Sequence, residues 1–189
     1  MLDERKLRLS PEEREEKSSR IASFFINDLV MPAGVGSVGF YYPVHNEVET
    51  FSSLDFCMQS GIRCLFPRVV SNCEMAFLPI KSLDDLVKRT YGIYEPDLKK
   101  CEGRDEEVPK VLIVPGVAFD GDNYRIGYGK GYYDRYIRER KPYLTVGFAY
   151  SFQLVEGFDR EEWDVKLNLL LTEKGWHGEF RNSYSGGLK

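Results

Sequence analysis

The stretch that most restricts what this 189-residue chain can fold into is "KVLIVPG", Lys110 to Gly116. Val111, Leu112, Ile113 and Val114 form a continuous aliphatic run stopped by Pro115-Gly116, which predicts a short strand that is apolar on both faces. Such a strand sits inside a sheet covered above and below, and helices are the usual cover. The following segment fits that plan. A loop leads into "RIGYGKGYYD" (Arg125 to Asp134), and "YYDRYIRER" then reads as a helix.

The rest of the chain alternates in the same way. "LSPEEREEKSSRIASFFINDL" starts with Ser10 as a helix cap, Pro11 at the first helical position and Glu13 completing a capping box. Ile21, Phe24, Phe25 and Leu29 then recur at helical spacing, and "PAGVG" ends the helix. "SVGFYYP" is a short buried strand, and "TFSSLDFCMQSG" is a helix stopped at Gly61. "IRCLFPRV" and "EMAFLPI" have strand length, each with a proline that suggests an edge or a strand end. "SLDDLVKR" reads as a short helix or turn, and residues 95–109 as an exposed charged loop. "YLTVGFAY" and "LNLLLTE" are two more strands, and residues 173–189 are expected to form a C-terminal tail. The expected fold is α/β, a single domain over residues 1–189 with a mostly parallel central sheet flanked by helices. A chain of this size can bury roughly 70% of its unfolded surface in one core.

Charge and cysteine content narrow the function. With 26 basic and 30 acidic residues the net charge is -4, so a nucleic-acid partner is not expected. Cys57, Cys64, Cys73 and Cys101 form no CxxC pair and lie far from His45 and His177, as reduced thiols in a cytoplasmic protein would. The N-terminus is charged from its start and no run approaches 18 apolar residues, so neither a signal peptide nor a membrane span is expected.

The glycine-rich segment carries the chemistry. Gly127, Gly129 and Gly131 alternate with Tyr128 and Lys130 just before a helix start. Glycine lets the backbone approach a ligand without a Cβ in the way, and N–H groups at a helix start attract anions. Arg125 and Lys130 add full charges, and Asp134 in the first helical turn could hold magnesium among phosphate oxygens. The segment therefore reads as a cradle for a polyphosphate and its metal. The other reading is a surface loop whose glycines only make turns. It is not a Walker A loop, because "GVAFDGDN" lacks the lysine and hydroxyl, and Tyr132 stands where G-x-G-x-x-G needs its third glycine.

"VPGVAFDGDNYRIGYGKGYYDRYI" resembles the signature of the 5-formyltetrahydrofolate cyclo-ligase (5,10-methenyltetrahydrofolate synthetase) family. "YYPVHNEVET", "LFPRV", "MAFLPI", "YGIYEP" and "VGFAYSFQL" with a following "WD" extend the likeness in family order over about residues 9 to 173. The resemblance implies MgATP-dependent closure of 5-formyltetrahydrofolate to 5,10-methenyltetrahydrofolate by a cytoplasmic enzyme, expected to be a monomer. It implies that Arg125 and Lys130 bind the triphosphate, with Gly127, Tyr128, Gly129 and Gly131 as the cradle. Asp134 and Asp164 match magnesium positions, and Tyr132 and Tyr133 match the tyrosine pair where ATP and folate meet. For Tyr133, ligand contact and packing on the core both remain open. Lys130, Arg125 and Tyr133 are the candidate catalytic residues.

Glu47 matches the acid at the pterin end, while Tyr42 and Tyr91 are candidates to line the pterin or to be plain core. Pro67-Arg68 and Tyr94-Glu95-Pro96 match family motifs without an assigned role. Two departures stand out. Family members carry a Lys and an Arg four residues apart well upstream of the segment matching "LSPEER", and here nine residues precede Ser10. Arg5, Lys6 or Arg8 are the candidate substitutes, unless the start lies upstream. Asn168 also stands where the family often has aspartate. The competing function is a catalytically silent folate- or nucleotide-binding regulator on the same fold.

Overall fold

The computed structural model describes residues 9–89 and 92–178. The Val111–Val114 run is strand β6, and all four of its residues are fully buried. Its side chains divide by parity: Val111 and Ile113 join one apolar cluster, Leu112 and Val114 a second. The first cluster takes in Ile21, Phe25 and Leu29 from the N-terminal helix and Leu54 and Cys57 from the next one, whereas Tyr136 and Ile137 bring the last helix to the second cluster. Strand period two thus places helices on both faces of the sheet.

The first helix, α1 (Pro11–Phe24), is closed by the expected box: Ser10 Oγ accepts from Glu13 N at 3.2 Å and Ser10 N donates to Glu13 Oε2 at 2.8 Å. It runs on through a π-helical stretch (Phe25–Val30) and a last turn (Met31–Ala33) to Gly34, whose φ is 61°. The wider π turn rotates the buried stripe, so Phe24 is half-buried while Val30 and Ala33 are buried. Strand β1 (Ser37–Gly39), helix α2 (Phe51–Gln59) and strand β2 (Arg63–Val69) make a parallel crossover, followed by antiparallel β3 (Met75–Ile80). Pro67 lies beyond the last residue paired with β1, and Pro79 lies on the edge strand, so neither proline interrupts an interior ladder.

After β4 (Leu86–Lys88) and β5 (Tyr94–Pro96) comes β6, then β7 (Ala118–Asp120), β8 (Arg125–Ile126) and α3 (Tyr132–Arg140). Strands β9 (Leu144–Phe148), β10 (Leu154–Val155), β11 (Leu169–Thr172) and β12 (Gly175–His177) complete the described chain. The main sheet has the order β12-β11-β9-β6-β1-β2-β3; its interior is parallel, and the two edge strands run antiparallel. The fold is therefore α/β with a large, mostly parallel central sheet.

Three sequence expectations are corrected. Of "SLDDLVKR", Leu83–Asp85 makes a 3₁₀ turn, but Leu86–Lys88 is strand and pairs with Tyr94–Pro96. The loop over residues 95–109 is therefore not exposed throughout: Glu95 and Cys101 are buried. The Arg104 guanidinium supplies the loop's polar interior, donating to Asp85 Oδ2 at 2.6 Å and to the carbonyls of Pro79 and Lys100. Gly175–His177, expected in the tail, belong to the sheet instead, because the chain turns at residues 173–174 and β12 runs back along β11.

Candidate active site

In an open α/β sheet, ligands collect beyond the carboxyl ends of the strands where the strand order reverses. Here the chain leaves β1 for β2 on one side and returns to β6 on the other. A cavity of about 1200 Å³ opens at that point, lined by Tyr41, Tyr42 and Glu47 after β1 and by Pro115 after β6. The glycine-rich segment from Arg125 to Asp134 forms a further wall, and Asp164 reaches it from the loop before β11. All the candidate site residues therefore line one cavity except Tyr91, which lies outside the described residues together with Arg5, Lys6 and Arg8.

The cation end is built around Arg125. This residue is 7% exposed, and its Nη2 donates to Asp134 Oδ2 at 2.9 Å across the glycine turn. Its Nε is buried without a hydrogen-bond partner among the described residues, an unspent donor in a wall of the cavity. A Cβ on Gly127 would stand 2.6 Å from Arg125 Nη1, so only glycine leaves the guanidinium its place. Gly131 begins α3 in the left-handed region (φ 63°). No side chain caps that end, and the first N–H groups of a helix have no acceptor within the helix. Buried guanidinium, exposed Lys130 and an uncapped helix start form an arrangement suited to an oxyanion.

Tyr133 packs against the second core cluster and also lines the cavity, with the Arg125 guanidinium 5.5 Å from its ring centre. Burial, helped by the nearby Glu47 charge, pushes its phenol well above the ordinary tyrosine range, so it stays protonated and can donate. Asp164 Oδ2 accepts from Glu161 N at 2.8 Å, which fixes its carboxylate at the rim. Its loop is strapped down by Arg160, whose guanidinium donates to Asp120 and Asp122, each at 2.7 Å, and lies 4.1 Å above the Tyr124 ring.

The other end is aromatic and acidic. Glu47 is 4% exposed; Tyr128 Oη donates to its Oε1 at 2.9 Å and Val44 N to its Oε2 at 2.9 Å. The Tyr128–Glu47 bond joins the glycine loop to the acidic end, a contact that sequence order gives no sign of. Tyr42 stacks on Tyr94 with ring centres 4.4 Å apart and packs on the core while lining the cavity. Asn168 does not line the cavity: its Oδ1 accepts from Thr145 N and Thr145 Oγ1, both at 2.8 Å, holding β9 to β11. An aspartate would accept the same two bonds, so this departure is one of sheet anchoring.

Among the further residues that line the cavity, two without a sequence-based role make anchoring contacts. Glu95, from the motif "YEP", is one. Arg135, next to Asp134, is the other: it donates to Lys130 O at 2.5 Å and to Cys73 O at 2.7 Å, tying the glycine loop to the β2–β3 turn. The signal for Glu95 was a carboxylate between strand-like apolar residues and a proline. Among the described residues no group of three or more His, Cys, Asp or Glu side chains could hold a metal alone. The cysteines are free thiols, three of them buried, and among the described residues no helix is long and apolar enough to cross a membrane.

Known proteins match both the sequence and the fold. The profile of the 5-formyltetrahydrofolate cyclo-ligase family matches residues 1–173. The 5-formyltetrahydrofolate cyclo-ligase of Escherichia coli K12 is 31% identical over 183 residues, covering 93% of this chain and 99% of the relative. Two solved 5,10-methenyltetrahydrofolate synthetases share the fold. The one from Aquifex aeolicus has a TM-score of 0.78 and 35% identity, over 93% of this chain and 87% of that one. The one from Mycoplasma pneumoniae has a TM-score of 0.71 and 28% identity, over 91% and 93%. With a profile match along nearly the whole chain and full-length relatives of the same architecture, this chain belongs to the 5-formyltetrahydrofolate cyclo-ligase family.

Proposed function

We propose that the chain converts 5-formyltetrahydrofolate to 5,10-methenyltetrahydrofolate with cleavage of ATP to ADP and phosphate. Family membership supports the folate substrate and the ring closure. The observation that carries the ATP half is the unspent Arg125 Nε in a cavity wall, beside a glycine whose Cβ would displace that guanidinium. The chemistry then needs both ends of the cavity at once. An N5-formyl amide is a poor electrophile, and transfer of the γ-phosphoryl group to its oxygen gives an iminium phosphate. N10 attacks the formyl carbon, forming the second C–N bond. The C–O bond to phosphate then breaks and the N10 proton is lost.

Arg125 and Lys130 hold the phosphates and offset the charge developing on the transferred group. The neutral Tyr133 phenol, beside Arg125, can donate a hydrogen bond to an oxygen at the junction. Glu47 and Tyr42 orient the heterocycle so that N10 faces the activated carbon. Asp134 and Asp164 suit magnesium, which usually takes one or two carboxylates and completes its shell with phosphate oxygens and water. When bound, magnesium neutralises the phosphate oxygens. The test is direct. Protein, MgATP and 5-formyltetrahydrofolate should produce the near-ultraviolet absorbance of the methenyl product, and omission of ATP should abolish it. Binding of both ligands without product would make the chain the silent regulator instead.

A further inference from the structure

Glu95 lies in β5 on the cavity wall, and the proposed reaction gives it no task. Its side chain is 4% exposed. Among the described residues only one of its carboxylate oxygens is engaged: Oε2 accepts from Val69 N at a long 3.3 Å and lies 3.9 Å from Arg89 Nε. Oε1 has no hydrogen-bond partner among the described residues. Arg68, the other nearby cation, donates to Pro96 O instead. Burial outweighs Val69 N–H, Arg68 and Arg89, and lifts the carboxyl above the ordinary glutamate range. Oε1 is not sealed in the core but keeps access to the cavity, where it is open to accept from a bound group. Tyr42, Pro67, Val69 and Ile93 line the same cavity and supply it with apolar and aromatic surface. Glu47 differs in having both oxygens already bonded by Tyr128 and Val44.

We propose that Glu95 is a specificity-determining residue of this cavity, whose Oε1 accepts hydrogen bonds from N–H groups on the edge of a flat, nitrogen-rich heterocycle. The inference rests on the function proposed above, in which that heterocycle is the reduced pterin. It adds a second buried acceptor on a different wall from Glu47.

Glu95→Gln isolates this role. The amide oxygen can still accept from Val69 N, which leaves an NH₂ group where the free acceptor stood. In calorimetry without turnover, 5-formyltetrahydrofolate should bind roughly tenfold or more weakly to Glu95→Gln, because donor then faces donor. ATP should bind within about twofold of wild type, and the melting temperature at neutral pH should not fall. A second arm uses 5-formyltetrahydrofolate lacking its exocyclic amine. Wild type should bind this analogue more weakly than the parent ligand, and Glu95→Gln should discriminate less between the two. Unchanged folate affinity in Glu95→Gln overturns the inference alone, while failure of wild type to bind folate overturns it together with the proposed function. If the variant folds poorly, equal affinity of wild type for the two ligands overturns the inference.

Discussion

Asp134 and Asp164 are both acids of the proposed metal site, yet their surroundings make them different experiments. Asp134 also pairs with Arg125, and the two side chains are only 15% and 4% exposed. Asp134→Asn removes the charge that offsets a buried guanidinium, so it should cost about 1–3 kcal/mol of stability as well as raise the magnesium requirement. Among the described residues the Asp164 side chain takes only a bond from Glu161 N, which asparagine can also accept. Asp164→Asn should therefore raise the magnesium requirement with little change in melting temperature. Thermal unfolding and a magnesium titration of turnover check both variants. Equal stability losses would mean that the Arg125 pair contributes nothing particular. At this scale the residue types were legible: the glycines, cations and acids singled out in the sequence line one cavity. Their pairing was not, since Arg125–Asp134 and Tyr128–Glu47 are contacts made through space by turns that the local sequence does not encode.

Most elements were legible because each carried its own local signal. The capping box at Ser10, the aliphatic run at β6 and the Gly61 stop need no tertiary partner to be read. The β4–β5 hairpin was missed because its strands are three residues long and draw their stability from neighbouring strands and from Arg104. The same lack of local signal hides the link between the glycine loop and the β2–β3 turn. Arg135 bridges the carbonyls of Lys130 and Cys73, and Tyr132 Oη adds a bond to Ser71 O at 3.2 Å. Arg135→Ala keeps helix α3 but releases the loop. It should weaken ATP binding roughly tenfold, the scale of one lost charge-assisted hydrogen bond. Arg135→Lys should recover part of that loss by reaching one carbonyl. Calorimetric ATP titrations of the two variants decide the matter, and identical affinities in wild type and Arg135→Ala would show that the loop holds its shape unaided.

For the whole molecule, two buried glutamates make stability depend on pH in opposite directions. Glu173 joins three elements: Lys17 of α1 and the Ser151 hydroxyl reach its Oε1 at 2.9 and 2.7 Å, and Ser151 N reaches its Oε2 at 2.8 Å. Burial opposes its charge, but these bonds outweigh it and hold the carboxyl below the ordinary range. Its contribution is therefore complete above the ordinary glutamate value near ~4.3 and is lost as pH falls through the lowered folded value. Glu95 is raised by burial, so the ligand-free folded state holds its proton more tightly than the unfolded chain does. Its contribution is present in acid and is lost as pH rises through the raised value. Denaturant unfolding of wild type, Glu173→Gln and Glu95→Gln at a series of pH values separates the two. Wild type should exceed Glu173→Gln by about 1–3 kcal/mol near neutrality, with the gap closing in acid. Against Glu95→Gln, wild type should instead lose ground as pH rises. Two gaps running in the same direction would mean that one carboxylate has been assigned the wrong surroundings. Saturating folate should shrink the Glu95 gap and leave the Glu173 gap unchanged, because only Glu95 lines the cavity.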